Sequence, residues 1–178
     1  MPMVILENSV TVQLPPGYRI IRKDDIHKKF TSEDKTMRDY KLSYFYEWNM
    51  ESNSTVIVRE SPDRMIDGVI MFRFVPGINN PEKIVIEMLA RNFSMGRSSA
   101  GVGSDLLGVV ENNIARPMHI GRIEIEAVKD LEDYYESLGY HPEGREHFDS
   151  SWKKIVNMVK TFNENVRFWW WIHIKKDI

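Results

Sequence analysis

Residues 83–128 constrain the fold more than any other part of this 178-residue chain. KIVIEMLAR (83–91) is an apolar, β-branched run of strand length. Residues 92–101 are small and polar, a loop. Over 102–115, Val102, Leu106, Val110 and Ile114 share one helical face, and Arg116-Pro117 ends that helix. RIEIEAV (122–128) alternates as a strand. Strand, helix and strand in this order form a parallel βαβ unit with a right-handed crossover. A sheet with helices on both faces follows.

The remaining segments add antiparallel strands and further helices. Residues 1–16 are extended or loose and end at Pro15-Pro16-Gly17. A short strand is predicted over 18–22, and Asp24-Asp25 open a helical stretch. Met37, Tyr40, Tyr44, Phe45 and Trp48 have helical spacing within 34–49. Strands over 56–60 and 67–75 form a hairpin around Ser61-Pro62-Asp63. A helix over 130–138 has Asp130 as N-cap and Gly139 at C′. Trp152, Ile155, Val156, Val159 and Phe162 read as an amphipathic helix over 150–162. VRFWWWIHIK (166–175) reads as a terminal strand, apolar on both faces. Cover on both sides explains that strand, and a homodimer contact through its aromatics is the alternative. No repeat or long linker divides the chain, so one α/β domain over 1–178 is expected, with a mixed sheet.

Composition excludes several functions. Lys+Arg 24 against Asp+Glu 26 gives a net charge of −2, without the basic excess of a domain that coats nucleic acid. Cysteine is absent, which removes disulfides, thiolate catalysis and cysteine zinc sites. The histidines (27, 119, 141, 147, 173) have no metal-ligand spacing, so no metal is expected. No run approaches the roughly 20 apolar residues that span a bilayer. The N-terminus has no basic n-region and meets Glu7 early, so the expectation is a cytoplasmic protein without a membrane or nucleic-acid partner.

The chemistry concentrates in MGRSSAGVGSDLL, residues 95–107. Gly101 and Gly103 allow a tight turn and close approach of a ligand. The N–H groups of residues 99–104 then converge before a helix dipole, an anion site suited to a diphosphate, with Arg97 able to add a charge. A surface loop with two turn glycines is the plainer alternative. No Gly-Lys-Ser/Thr follows, so a P-loop is excluded. A dinucleotide site lacks its third glycine and its tight turn, which leaves an NAD-dependent oxidoreductase little support. In DLEDYYESLGY (130–140), Leu131, Tyr134, Tyr135 and Leu138 form one apolar helix face. Read alone, both tyrosines are core aromatics. A buried hydroxyl still needs a partner, which a ligand can supply.

Together these stretches resemble the GNAT superfamily of acyl-CoA-dependent N-acyltransferases. The family's phosphate motif, Gln/Arg-x-x-Gly-x-Gly/Ala before a helix, is similar to SSAGVGSDLL (98–107). Its Leu-Tyr-x-x-x-Gly-Phe pattern is similar to Tyr134 through Tyr140. The resemblance covers residues 83–140 and is topological elsewhere. Ser98 stands at the Gln/Arg position with Arg97 one residue early, and the loop lacks the usual Pro. A helix over 150–162 would also interrupt the hairpin that joins the family's last two strands.

The resemblance implies an acyl-CoA N-acyltransferase fold: a mixed, mostly antiparallel central sheet in which the parallel pair 83–91 and 122–128 splays into a V. It implies acetyl-CoA as co-substrate, with the diphosphate on Arg97, Ser98, Ser99, Ala100, Gly101, Val102, Gly103 and Ser104. The pantetheine arm would lie along Leu89, Ala90 and Arg91. A primary amine, on a small molecule or a peptide, would attack the thioester directly. Tyr135 matches the family's general acid. Glu87 is the candidate base, with an exposed strand carboxylate as its plainer explanation. Tyr40, Tyr44, Tyr46 and Trp48 with Glu33, Asp34, Asp39, Glu47 and Glu51 would suit a cationic amine, or simply form a solvated acidic face. A catalytically silent acyl-CoA-fold module that binds a partner is the alternative from another class.

Overall fold

A computed structural model describes residues 3–5, 10–32 and 40–162, without the side chains of 3–5 and 97–99. The elements in chain order are β1 (Met3–Ile5), β2 (Thr11–Gln13), β3 (Tyr18–Ile20), α1 (Leu42–Glu51), β4 (Ser54–Glu60), β5 (Ile66–Val75), β6 (Lys83–Arg91), α2 (Val102–Val109), β7 (Arg122–Val128), α3 (Glu132–Ser137), β8 (His141–Pro142), β9 (His147–Phe148) and β10 (Lys154–Thr161). Strands β1 and β2 pair antiparallel in the segment expected to be extended or loose. The main sheet has the order β3-β4-β5-β6-β7-β10-β8, with β9 also on β10. Of its pairings only β6–β7 is parallel.

Alternation along β4 and β5 builds the layers. Ile57, Ile70, Phe72 and Phe74 enter one core with Val102, Leu106, Tyr135 and Tyr140 from α2 and the α3 segment. Val56, Val58, Val69 and Met71 enter a second core with Leu42 and Phe45 of α1. Helices therefore cover both faces, and the near-continuous apolar run of β4 reflects burial on both sides.

The parallel pair parts as the resemblance implies. Its register runs only over Ile84–Ile123, Val85–Glu124 and Ile86–Ile125. Beyond that point β6 stays with β5 as far as Arg91, and β7 stays with β10 as far as Val128. The local cause is a bulge. Met71 pairs with Met88 and Phe72 with Ile86, so Glu87 is an extra residue that bends β6 away from β7.

Several expected boundaries are corrected. The strand over 18–22 closes at Ile20, and Asp24-Asp25 lie in a single 3₁₀ turn, Lys23–His27. The helix expected over 34–49 is α1, which begins at Leu42; residues 33–39 lie outside the described residues. The helix expected over 102–115 is regular to Val109 and then widens over Val110–Ala115 into i→i+5 bonding.

The largest correction concerns 150–162. This segment is a turn followed by β10, antiparallel to β7. Ile155, Val156, Met158 and Val159 are all buried, so the strand has no polar face to disclose period 2, and its apolar spacing also fits a helix. The connection from β9 to β10 is thus a hairpin, and no helix interrupts it. The strand expected over 166–175, with its proposed dimer contact, lies outside the described residues.

Candidate active site

The opening between β6 and β7 is a cleft of about 620 Å³. Leu89, Ala90 and Arg91 of β6 line one wall, and Val128 with Asp130, Leu131, Tyr134 and Tyr135 line the other. Gly101 and Gly103 close one end, and Ser32 and Lys153 complete the lining. Because β6 and β7 no longer pair here, the edge of β6 that faces the cleft is open to strand-like addition of a ligand.

The start of α2 has the geometry of an anion site. Gly101 is its N-cap at φ 78°, the left-handed region that favours glycine. The first intrahelical bond runs from the Asp105 N–H to the Gly101 carbonyl, 3.1 Å. The N–H groups of Val102, Gly103 and Ser104 therefore precede the ladder at the positive end of the dipole. The Ser104 hydroxyl turns back to the Gly101 carbonyl at 2.8 Å.

A Cβ on Gly103 would lie 3.1 Å from the Tyr134 hydroxyl and 3.7 Å from Leu89, so this glycine keeps the end of the cleft open. Asp105, in the first turn, carries a charge of the wrong sign for a phosphate. Arg59 faces it at 3.2 Å and offsets that charge. Arg97, Ser98, Ser99 and Ala100 lead into Gly101, and the side chains of the first three lie outside the described ones.

Tyr135 is 6% exposed and lines the cleft. Burial, reinforced by the neighbouring Tyr134 phenol, pushes its hydroxyl up to about 12. Its ring meets Tyr134 and Tyr140 edge to face, with centroids 5.1 and 6.1 Å away. Tyr134 is 38% exposed, and burial with the Asp105 charge raises its hydroxyl against a hydrogen bond from Ser104.

Glu87 occupies the β6 bulge outside the cleft lining. Its carboxylate forms an ion pair with Arg73, Oε1 2.9 Å from Nε, and accepts a hydrogen bond from Ser54 Oγ at 2.5 Å. The aromatic residues of the α1 region pack on one another: Tyr40 and Trp48 meet at 5.7 Å and Tyr44 and Trp48 at 6.3 Å.

Sequence reasoning brings Leu89–Arg91, Gly101, Gly103 and Tyr135 to one cleft. It misses Ser32, Val128 and Lys153, which arrive from distant segments with no motif around them. Asn92, fully buried, anchors the Ser32 segment: it takes the Thr31 N–H on Oδ1 at 3.2 Å and donates Nδ2 to the Lys29 carbonyl at 2.8 Å. No local pattern announces that hub. Among the described residues no helix is long and apolar enough to cross a membrane.

No protein-family model and no curated protein matches the sequence. Solved structures do match. A chain of the NatC complex, bound to Gag peptide and CoA, has a TM-score of 0.59 at 18% identity, over 82% of this chain and 98% of that one. AtaTR bound with AcCoA has a TM-score of 0.55 at 16% identity, over 79% and 91%. Nourseothricin acetyltransferase has a TM-score of 0.50 at 17% identity, over 61% and 65%. The chain thus spans under two thirds of that last protein and nearly all of the NatC chain. At such identities the shared property is architecture, and with the parted β6–β7 pair and the glycine-led α2 it identifies the chain's fold as that of the GNAT N-acyltransferases.

Proposed function

We propose that the protein is an acyl-CoA-dependent N-acyltransferase that moves an acetyl group from acetyl-CoA to a primary amine in a ternary complex. The observation that carries this reading is the cleft itself. An open strand edge at Leu89–Arg91, a glycine-led helix start and a buried phenol converge on one volume of about 620 Å³. A thioester with a long amide-bearing arm and a diphosphate requires those three features together. The NatC chain and AtaTR, solved with CoA and AcCoA, support the same choice of co-substrate.

The diphosphate binds the N–H groups of residues 102–104 and the loop from Arg97 to Gly101. The pantetheine amides pair with the backbone of Leu89, Ala90 and Arg91. The acceptor amine, ordinarily protonated with a pKa near about 10.4, gives up a proton before attack. Glu87 takes that proton through water, since its carboxylate stands outside the cleft lining. The nitrogen lone pair forms a bond to the thioester carbonyl carbon, and a backbone N–H near Leu89 donates to the oxyanion. As the C–S bond breaks, Tyr135 gives its proton to the departing thiolate and takes up, through water, the second proton that the attacking nitrogen loses, so the amide forms and the phenol is restored. Burial keeps that phenol protonated in the free site, which suits a donor.

Calorimetric titration with CoA, followed by thiol release from acetyl-CoA across a panel of amines, tests the reading. Binding together with amine-dependent thiol release is expected. No heat at millimolar CoA overturns it, and binding with no thiol release from any amine favours a silent binding module.

A further inference from the structure

Helix α3 is only six residues long, too short to hold its shape without outside contacts. Its far end is fastened by a buried polar cluster that the proposed chemistry does not use. Glu111, from the wide turn that closes α2, is 8% exposed. Its Oε1 accepts a hydrogen bond from the Tyr140 hydroxyl at 3.0 Å, and its Oε2 accepts one from Lys160 Nζ at 2.7 Å. Lys160, on β10, also donates to the Leu138 carbonyl at the C-cap of α3, 2.8 Å. Its ammonium lies 5.3 Å from the centre of the Tyr140 ring. Tyr140 in turn donates its N–H to the Tyr135 carbonyl at 3.1 Å and meets the Tyr135 ring edge to face.

A carboxylate this buried is costly unless both oxygens are satisfied, and here both are. The cluster joins three elements: the end of the helix whose start forms the anion site, the strand beside β7, and the turn after Tyr135.

We infer that Glu111 is a positioning residue for Tyr135. Through Tyr140 and Lys160 it fixes the last turn of α3, and with it the phenol that faces the cleft. The inference rests on the assignment of Tyr135 as the acid.

The test is a double-mutant cycle on turnover. Glu111→Gln still accepts from Tyr140 but no longer neutralises Lys160. It should lower kcat by about 10- to 100-fold, the cost of a misplaced group, while the Kd for CoA stays within about 2-fold. In a Tyr135→Phe background the same substitution should change kcat by less than about 2-fold, because no acid remains to misplace. Tyr140→Phe, which keeps the ring and loses the hydroxyl, should follow the same pattern and carries the test if Glu111→Gln does not fold. Lys160→Arg, which keeps the charge and the cap, should retain kcat, whereas Lys160→Met should not. Equal losses in both backgrounds, or an unchanged kcat in Glu111→Gln, overturn the positioning role and leave the acid assignment standing. An unchanged kcat in Tyr135→Phe alone overturns the acid assignment and this inference with it.

Discussion

A phenol at 6% exposure is held in its neutral form, because the anion would lose its hydration. Tyr135 therefore stays protonated across the working range, and as the proposed acid it should cause no loss of kcat until the pH approaches about 12. Tyr135→Phe should lower kcat by about 100-fold or more, as loss of a general acid does, with little change in CoA affinity. Steady-state kinetics beside calorimetry checks both halves; equal turnover in the two proteins removes the role. Asp25 shows the opposite electrostatics. It is 1% exposed, and burial alone would raise its carboxyl. Arg19 binds both of its oxygens at 2.7 and 2.8 Å, the Arg22 N–H adds a bond at 2.8 Å, and Lys28 lies 3.0 Å away. These partners win and hold the group at about 2, against 3.8 in the unfolded chain. A depressed pKa stabilises the fold above the unfolded value, and the gain is lost as pH falls from about 4 through about 2. Asp25→Asn should thus cost on the order of 2 kcal/mol at pH 7, and the two proteins should converge near pH 2 in urea melts.

At the scale of the element, α2 sits where it does because β5 has a glycine beneath it. A Cβ on Gly68 would stand 2.1 Å from Val102 Cγ1 and 3.1 Å from the Ala90 carbonyl. Gly68→Ala must push the start of α2 outward. It should cost about 1–3 kcal/mol of stability by overpacking, and it should also weaken CoA binding because the N–H groups of residues 102–104 move. Gly108, in the same helix, has nothing within 4 Å of its added Cβ, so Gly108→Ala should stabilise by about 0.5–1 kcal/mol without touching CoA affinity. Thermal melts with calorimetry on the pair separate a displaced helix from a general loss of stability. These elements also mark how far the sequence can be read. RIEIEAV alternates because β7 has one half-exposed face, and its predicted limits are the observed ones. β6 announces itself by β-branched residues, and α2 by its four-residue apolar spacing. β10 does not: its two buried faces erase the alternation, and Ile155, Val156, Val159 and Phe162 fit either period. Within the site, Gly101, Gly103 and Tyr135 lie in local patterns that carry chemistry. Lys160 and Glu111 are 49 residues apart, and nothing near either one points to the other.

Across the whole molecule, the parallel seam is short. Two half-sheets, β3-β4-β5-β6 and β7-β10-β8, meet through only three parallel residue pairs before they diverge. Glu124 reinforces that seam: Lys83 of β6 reaches it at 2.8 Å and Arg122 at 2.6 Å, and these bonds lower its carboxyl pKa against burial. Past Ile86 the halves are joined through α2, which packs on β4, β5 and β6 and whose continuation carries Glu111 to Lys160 of β10. A ligand that pairs with Leu89–Arg91 while its diphosphate rests on the start of α2 spans the open part of the seam. It binds only the folded arrangement, so at a hundredfold excess over Kd it should stabilise the protein by about 2.7 kcal/mol. For a domain of this length that corresponds to a rise in Tm of roughly 5–10 °C. The gain should be local as well as global. Hydrogen exchange should slow when CoA is present at the amides of residues 88–91 and 102–104, which open locally, while core β4 amides, which exchange through global unfolding, should slow only by the factor that the global gain sets, about 100-fold. Slowing of the core strands with no change in the local opening of residues 88–91 and 102–104 would mean that the ligand binds elsewhere and not across the parted strands.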